Sequence, residues 1–288
     1  MELKDAMLEL IRRATTDLSP DVENAIQQAY DREDEGTPAK SVFGTIRENI
    51  ALAREASTPI CQDTGSVIIY IDFPVGEPET KYKEAAEWAA AEATKLQYLR
   101  PNAVDPITGK NSGNNVGTNA PYLHFHQWDK DETRVRLMLK GGGSENVGAQ
   151  YKLPDSVLHA GRDLKGVKKV VIDAVQKAQG QGCAPGVVGI GIGGDRVTSY
   201  ALSKEQFFRK LGEKSTNPDL AKLEEELYED LNKLGIGPMG FGGKTTCLGV
   251  FAGVQHRHPA TFYVAISYTC WAYRRKQMTI KGSEVTYD

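Results

Sequence analysis

Thr58-Pro59-Ile60-Cys61-Gln62-Asp63-Thr64-Gly65, followed at once by Val67-Ile68-Ile69-Tyr70-Ile71, is where the chain changes character. Proline and glycine mark the first stretch as a loop, and β-branched and aromatic residues mark the second as a strand. Upstream, residues 1–55 read as helix. Met7, Leu8, Leu10 and Ile11 form one apolar stripe. Ser19-Pro20-Asp21 is a helix start with serine as N-cap and proline in the first turn. Thr37-Pro38 repeats that signal, and Val42, Ile46 and Ile50 follow at helical spacing. Downstream, helices are predicted at 80–99, 163–179, 203–212 and 217–233. Strands are predicted at Tyr122–Trp128, Thr133–Lys140, Val187–Ile192, Thr245–Val254, Thr261–Tyr273 and Gln277–Ile280. Residues 101–121, dense in Pro, Asn and Gly, form a long loop of the kind that often carries function. No repeat, linker or boundary shows. The expectation is α+β or mixed α/β in a single large domain over 1–288, with 1–55 as its helical N-terminal segment.

Composition excludes several classes. The 288 residues suffice to bury a core without disulfides. Hydrophobic residues are 40% and charged residues 25%, a globular balance. A net charge of −3, from 35 basic and 38 acidic residues, gives no reason to expect nucleic acid or an anionic membrane. No stretch approaches the roughly 20 apolar residues of a transmembrane helix. Met1 to Leu18 carries charges throughout and does not read as a signal peptide.

Two glycine-rich motifs fail on spacing. Gly237-Pro238-Met239-Gly240-Phe241-Gly242-Gly243-Lys244-Thr245 resembles a P-loop, but its first glycine position holds Pro238 and a strand follows instead of a helix. An anion cradle of backbone N–H groups remains open there. Gly189, Gly191, Gly193 and Gly194 imitate a dinucleotide fingerprint without its spacing; alternate glycines in a strand let another backbone or a ligand come close. His124-x-His126 and His256-x-His258 each put two imidazoles on one strand face, a zinc-capable pattern whose bland reading is ordinary surface or core histidine. His258 differs in that Pro259 follows it in a turn. The four cysteines contain no C-x-x-C. Cys61 and Cys183 lie on tight loops, Cys270 ends a strand and Cys247 lies inside one. Each alone reads as a small core residue; three of them on turns or strand ends raise the ligand reading.

Together these motifs resemble the class I, iron–sulfur fumarate hydratases and L-tartrate dehydratases. Pro59-Ile60-Cys61-Gln62-Asp63-Thr64-Gly65 is followed in order by Lys140-Gly141-Gly142-Gly143-Ser144-Glu145-Asn146, Gly182-Cys183-Ala184-Pro185 and Gly191-Ile192-Gly193-Gly194. Then come Gly237-Pro238-Met239-Gly240, Gly242-Gly243-Lys244-Thr245-Thr246, His258-Pro259-Ala260, and Cys270-Trp271-Ala272 with Arg274-Arg275. The resemblance spans about residues 40 to 275.

It implies a mixed α/β fold with β-sheets flanked by helices. It implies a [4Fe–4S] cluster held by Cys61, Cys183 and Cys270, with one iron lacking a protein ligand and Cys247 outside the set. Asp63 and His258 would be catalytic, working as a pair in the family's arrangement. Gln62, Arg100, Gly142 and Gly143 would bind substrate, Arg100 through a bidentate fork to a carboxylate. The bland readings are an Asx-turn for Asp63 and a surface salt bridge for Arg100. The implied reaction is reversible hydration of fumarate to L-malate, with L-tartrate dehydration to oxaloacetate as the alternative. Fused relatives continue past the third cysteine, so this chain reads as an α subunit. It is expected to need a β subunit of roughly 200 residues, in an α2β2 assembly, in the cytoplasm. Readings of another class are a zinc or mononuclear metal protein using the His-x-His pairs, and a non-catalytic scaffold with inert thiols.

Overall fold

The computed structural model describes residues 2–288, and the fold is mixed α/β. The chain divides into two compact units built from interleaved segments. One takes the residues up to Ser19, Glu48–Gly142 and Arg274–Asp288; the other takes Pro20–Arg47 and Gly143–Tyr273. The chain passes from one to the other at Ser19–Pro20, Arg47–Glu48, Gly142–Gly143 and Tyr273–Arg274.

In the first unit the strand predicted after Gly65 forms β1 (Ser66–Pro74). It lies in a five-stranded sheet with β2 (Tyr122–Trp128), β3 (Thr133–Lys140), β8 (Arg275–Lys281) and β9 (Glu284–Tyr287), in the order β2-β1-β3-β8-β9. The β1–β2 pair is parallel and the others are antiparallel. Alternation sorts the faces. Val67, Ile69, Ile71, Phe73, Val135, Leu137, Leu139 and Met278 form a core with Met7, Leu10 and Ile11 of α1 (Leu3–Thr16) and the alanine face of α4 (Glu79–Lys95). The opposite face mixes buried Ile68, Tyr70 and Met138 with a charged cluster. Buried Asp72 accepts from Arg134 Nε at 2.8 Å and lies 3.3 Å from Arg136 Nη2 and 3.2 Å from His126 Nδ1. His124 stacks on Tyr70 with centroids 4.3 Å apart. The first His-x-His pair is thus built into a sheet face.

The second unit holds α2 (Pro20–Arg32), begun at the proline the sequence marked, and the first half of α3 (Pro38–Ala56), where Thr37 Oγ1 accepts from Lys40 N–H at 3.2 Å as its cap. Its four-stranded sheet runs β4-β7-β5-β6: β4 (Ala149–Lys152), β5 (Gly186–Ile192), β6 (Cys247–Val254) and β7 (Tyr263–Thr269). α6 (Leu164–Ala178) and α8 (Pro218–Lys233) bury Val167, Val170, Val171, Leu223, Leu227 and Leu231 against Val188, Ile190, Val250, Val264 and Ile266. β5 is buried along its whole length, as its apolar run requires.

The alternate glycines of β5 have a definite cause. A Cβ at Gly189 would stand 2.2 Å from Ser203 O, and one at Gly191 would stand 2.0 Å from Ser199 O. The helix carrying those serines, α7 (Arg196–Glu205), rests directly on the strand backbone. This helix begins seven residues before the predicted 203 and ends at 205. Asp195 and Thr198 form a reciprocal capping box that fixes the earlier start. The short β4 and β9 have too few residues to show periodicity and were not foreseen.

Candidate functional site

The Cys61 loop is pinned before it reaches β1. Ile60 N–H donates to Thr15 O at 3.0 Å, and Ile60 O accepts from Asn49 Nδ2 at 2.8 Å. Cys61 is half-buried. Asp63 does the local work its bland reading proposed: Oδ1 accepts from Gly65 N–H at 2.9 Å, closing an Asx-turn. Oδ2 accepts from Gly142 N–H at 2.8 Å, so this N–H meets the loop's own carboxylate in the structure. Gly65, at φ +83°, is obligatory, because a Cβ would lie 2.8 Å from the Leu139 and Lys140 backbone.

Arg100 is exposed beside this loop. Its backbone N–H donates to Thr64 Oγ1 at 3.0 Å and its Nη1 to Gln62 O at 3.4 Å. Asn102 Nδ2 donates to Thr64 Oγ1 and to Gly65 O, at 3.1 and 3.2 Å. Buried Asn115 accepts from Asn102 N–H and donates to Arg100 O, both at 2.8 Å. Cys61, Gln62, Asp63, Arg100 and Gly142 therefore belong to one knitted group of loops. Thr64, Asn102 and Asn115, which hold it together, were not singled out from sequence. The available signal was the density of Asn in the 101–121 loop.

In the second unit Cys183 is exposed and takes φ +56° at the turn before β5. Cys183 O accepts from Trp271 N–H at 3.4 Å, which sets this turn beside the end of β7, where Cys270 is buried. Glycines make the turn possible. A Cβ at Gly182 would lie 2.6 Å from the Tyr268 ring and one at Gly186 would lie 2.1 Å from Tyr268 Cζ. The Tyr268 phenol is pushed up by burial first, then by the neighbouring Cys247, Cys270 and Cys183 thiols. Met239 N–H donates to Ala184 O at 2.8 Å, so the Gly237–Gly240 motif braces the same turn. Gly143, at the start of α5 (Gly142–Asn146), comes alongside it: a Cβ there would be 3.6 Å from Gln181 O.

Cys247 has a different setting. It is fully buried at the start of β6, and its Sγ donates to Gly249 O at 3.0 Å. Burial pushes its thiol up to about 12. The P-loop look-alike is also accounted for. Its backbone N–H groups at Lys244 and Thr245 hold the buried carboxylate of Glu33 at 2.9–3.0 Å, so the chain supplies the anion for its own cradle.

His258 sits in the exposed turn between β6 and β7, on a cavity of about 630 Å³ lined also by Asp195, Arg196, Gln255, His256 and Tyr263. Its Nδ1 accepts from Ala260 N–H at 3.1 Å.

The donor chemistry suits an iron–sulfur group. All four cysteines are free thiols, and two of the three on turns or strand ends are gathered at one place in the second unit. Among the described residues no three His, Cys, Asp or Glu side chains converge as they would on a single metal ion. A cluster makes a looser demand, because its irons occupy different corners and its thiolates stand further apart than the ligands of one ion. Soft sulfur ligands match iron–sulfur chemistry, and a buried thiol with a raised pKa does not.

Comparison with known proteins gives the family. The family model described as Fumarate hydratase (Fumerase) matches residues 4–279. A protein of Geobacillus stearothermophilus named as a fumarate hydratase class I is 50% identical over 277 residues, covering 95% of this chain and 54% of that protein. The chain thus spans about half the length of that relative. The L(+)-tartrate dehydratase subunit alpha of Escherichia coli K12 is 31% identical over all of this chain and 93% of its own length. A protein of Methanocaldococcus jannaschii, named for the same subunit, is 37% identical over 98% of both. The chain belongs to the fumarate hydratase family.

Proposed function

We propose that this chain is the cluster-bearing α subunit of a hydro-lyase that interconverts fumarate and L-malate. The observation that carries the choice of substrate is the 50% identity to a fumarate hydratase class I, against 37% and 31% to the tartrate dehydratase subunits. The α-subunit names of the latter, with nearly complete coverage of both chains, support a separate β partner; the assembly proposed with it is α2β2. No helix among the described residues is long and apolar enough to cross a membrane. A reducing cytoplasm suits three thiols that must stay unoxidised.

Cys61, Cys183 and Cys270 would hold a [4Fe–4S] cluster. When bound, it supplies a Lewis acid, at the iron without a protein ligand, for the hydroxyl and one carboxylate oxygen of the substrate. The chain's own residues do the rest. The exposed guanidinium of Arg100 offers a fork to a substrate carboxylate, and its backbone is fixed by Thr64 and Asn115. Gln62 and Asp63 lie on the same loop, so one rigid turn positions ligand and substrate contacts together. Asp63 is held in a fixed place by two backbone N–H groups. It is suited to orient a proton donor or to accept a hydrogen bond from substrate. Gly143, whose α5 start braces the Cys183 turn, would bring a backbone N–H to a substrate oxygen. His258 would exchange a proton or hydrogen bond with the substrate from its exposed turn.

The test is steady-state kinetics of the anaerobically reconstituted chain with its β partner. The reading expects kcat/KM for fumarate and malate at least about tenfold above that for L-tartrate, roughly 1.4 kcal/mol of discrimination. The reverse order would make the chain a tartrate dehydratase subunit.

A further inference from the structure

The turn that carries His258 is held by two guanidinium groups of this chain. A single Arg257 nitrogen, Nη1, donates to His258 O at 3.1 Å, to Pro259 O at 3.0 Å and to Thr261 O at 3.0 Å. Its guanidinium lies over the Phe262 ring, 4.9 Å from the centroid, which fixes the plane of the fork. From a different element, Arg162 Nη2 donates to Ala260 O at 2.9 Å and Nη1 approaches Pro259 O at 3.5 Å. Arg162 Nε is anchored on Leu153 O at 3.1 Å. Every carbonyl from 258 to 261 thus meets a guanidinium nitrogen.

The consequence falls on the imidazole. With the turn so closed, Thr261 N–H reaches His258 O at 3.0 Å and Ala260 N–H points at His258 Nδ1 at 3.1 Å. A backbone N–H can only donate, so Nδ1 must offer its lone pair and the ring proton of the neutral histidine must sit on Nε2. His258 lines the 630 Å³ cavity, and Nε2 is the ring nitrogen left to serve it.

We propose that Arg257 and Arg162 are positioning residues that close the 258–261 turn. The closed turn presents His258 as a neutral Nε2–H hydrogen-bond donor to a substrate oxygen, and not as the base that abstracts the carbon-bound proton. This rests on the proposed catalytic use of His258 and deepens it. Abstraction at Nε2 would need the Nδ1–H tautomer, whose proton would face the Ala260 N–H.

Two measurements test it. In the full chain labelled with ¹⁵N-histidine, long-range proton–nitrogen spectra report the tautomer of each of the five imidazoles, and His258→Asn identifies the His258 signal. The wild type is expected to show Nε2–H at His258. Arg257→Met, which keeps the stem and removes the cation, is expected to average the two tautomers. Arg257→Lys restores a donor to the same carbonyls and is expected to restore the single tautomer. In the cluster-loaded complex, with rates counted per cluster, Arg257→Met should lower kcat about tenfold with KM within about twofold, and Lys should recover most of it. A protonated Nδ1 in the wild type, or a tautomer unmoved by Arg257→Met, would overturn the proposal. Unchanged kcat in His258→Asn, with the tautomer as expected, would instead remove the catalytic reading of His258 on which the proposal rests.

Discussion

Among the cysteines, environment sets Cys61 and Cys183 apart from Cys247, while Cys270, buried as well, is proposed as a ligand from its place beside the Cys183 turn. Cys183 is exposed on a left-handed turn and Cys61 is half-buried on a pinned loop, whereas Cys247 is sealed and donates to Gly249 O. After anaerobic reconstitution, Ser variants of Cys61, Cys183 or Cys270 are expected to lose most iron and sulfide. Cys247→Ser should keep about four irons per chain, because a serine hydroxyl can reuse the acceptor. Retention by a Cys183 variant, or loss by Cys247→Ser, would break the assignment. The same thiol makes stability depend on pH. Its ordinary value is 9.0 and burial raises it to about 12 in the folded chain. Below pH 9 both states hold the proton and its contribution to stability is fully present. Above pH 9 the unfolded chain releases a proton that the folded chain keeps, so stability falls as pH rises toward 12. Urea midpoints between pH 9 and 10, below the ordinary tyrosine range, should decline less steeply in Cys247→Ser than in wild type.

Among the elements, glycine positions divide into those the fold needs and those it merely tolerates. Gly191 lets α7 lie on β5, and the atom an added methyl would strike is backbone, Ser199 O at 2.0 Å. Gly191→Ala is therefore expected to cost about 3 kcal/mol, at the upper end for overpacking, because neither strand nor helix can yield alone. Gly44 lies inside the 19-residue helix α3 with only Tyr30 Cε2 at 3.9 Å from the added methyl. Gly44→Ala should stabilise by about 0.5–1 kcal/mol through backbone entropy and helix propensity. Opposite signs in urea unfolding of the two variants would bear this out; equal and small effects would show that α7 is free to shift. The alternate glycines were legible as a place of close approach. Which element approaches was not, because the helix start at Asp195 depends on a side-chain cap that apolar periodicity ignores. The Pro20 and Pro38 helix starts were legible because proline states both its φ and its missing donor locally.

At the scale of the whole molecule, the sequence shows motifs better than architecture. The turns carrying Cys61 and Cys183 advertise themselves through Pro, Gly and Asp. The two units do not, because each is assembled from segments far apart in sequence, and α3 itself carries the chain from one to the other. Nor does sequence reveal that Glu33 fills the Lys244–Thr245 cradle, a pairing across 211 and 212 positions. That pairing bears on the partner. A dicarboxylate presents two anionic ends, and the glycine-rich cradle that could have taken one is occupied by the chain's own carboxylate. Of the substrate contacts assigned here, Arg100 is the single cation. On the proposed function a second charge-assisted contact is expected from the β subunit, and losing one such contact costs about 3 kcal/mol, close to a hundredfold in kcat/KM. The cluster-loaded chain alone should therefore turn over fumarate at no more than about one-hundredth of the kcat/KM of the mixture with β. It should also show the same iron content in both. Titrating β into loaded chain checks this, with activity expected to saturate at one β per α. Full turnover by the chain alone would mean that its own residues provide the second anion site, and would refute the division of labour argued here.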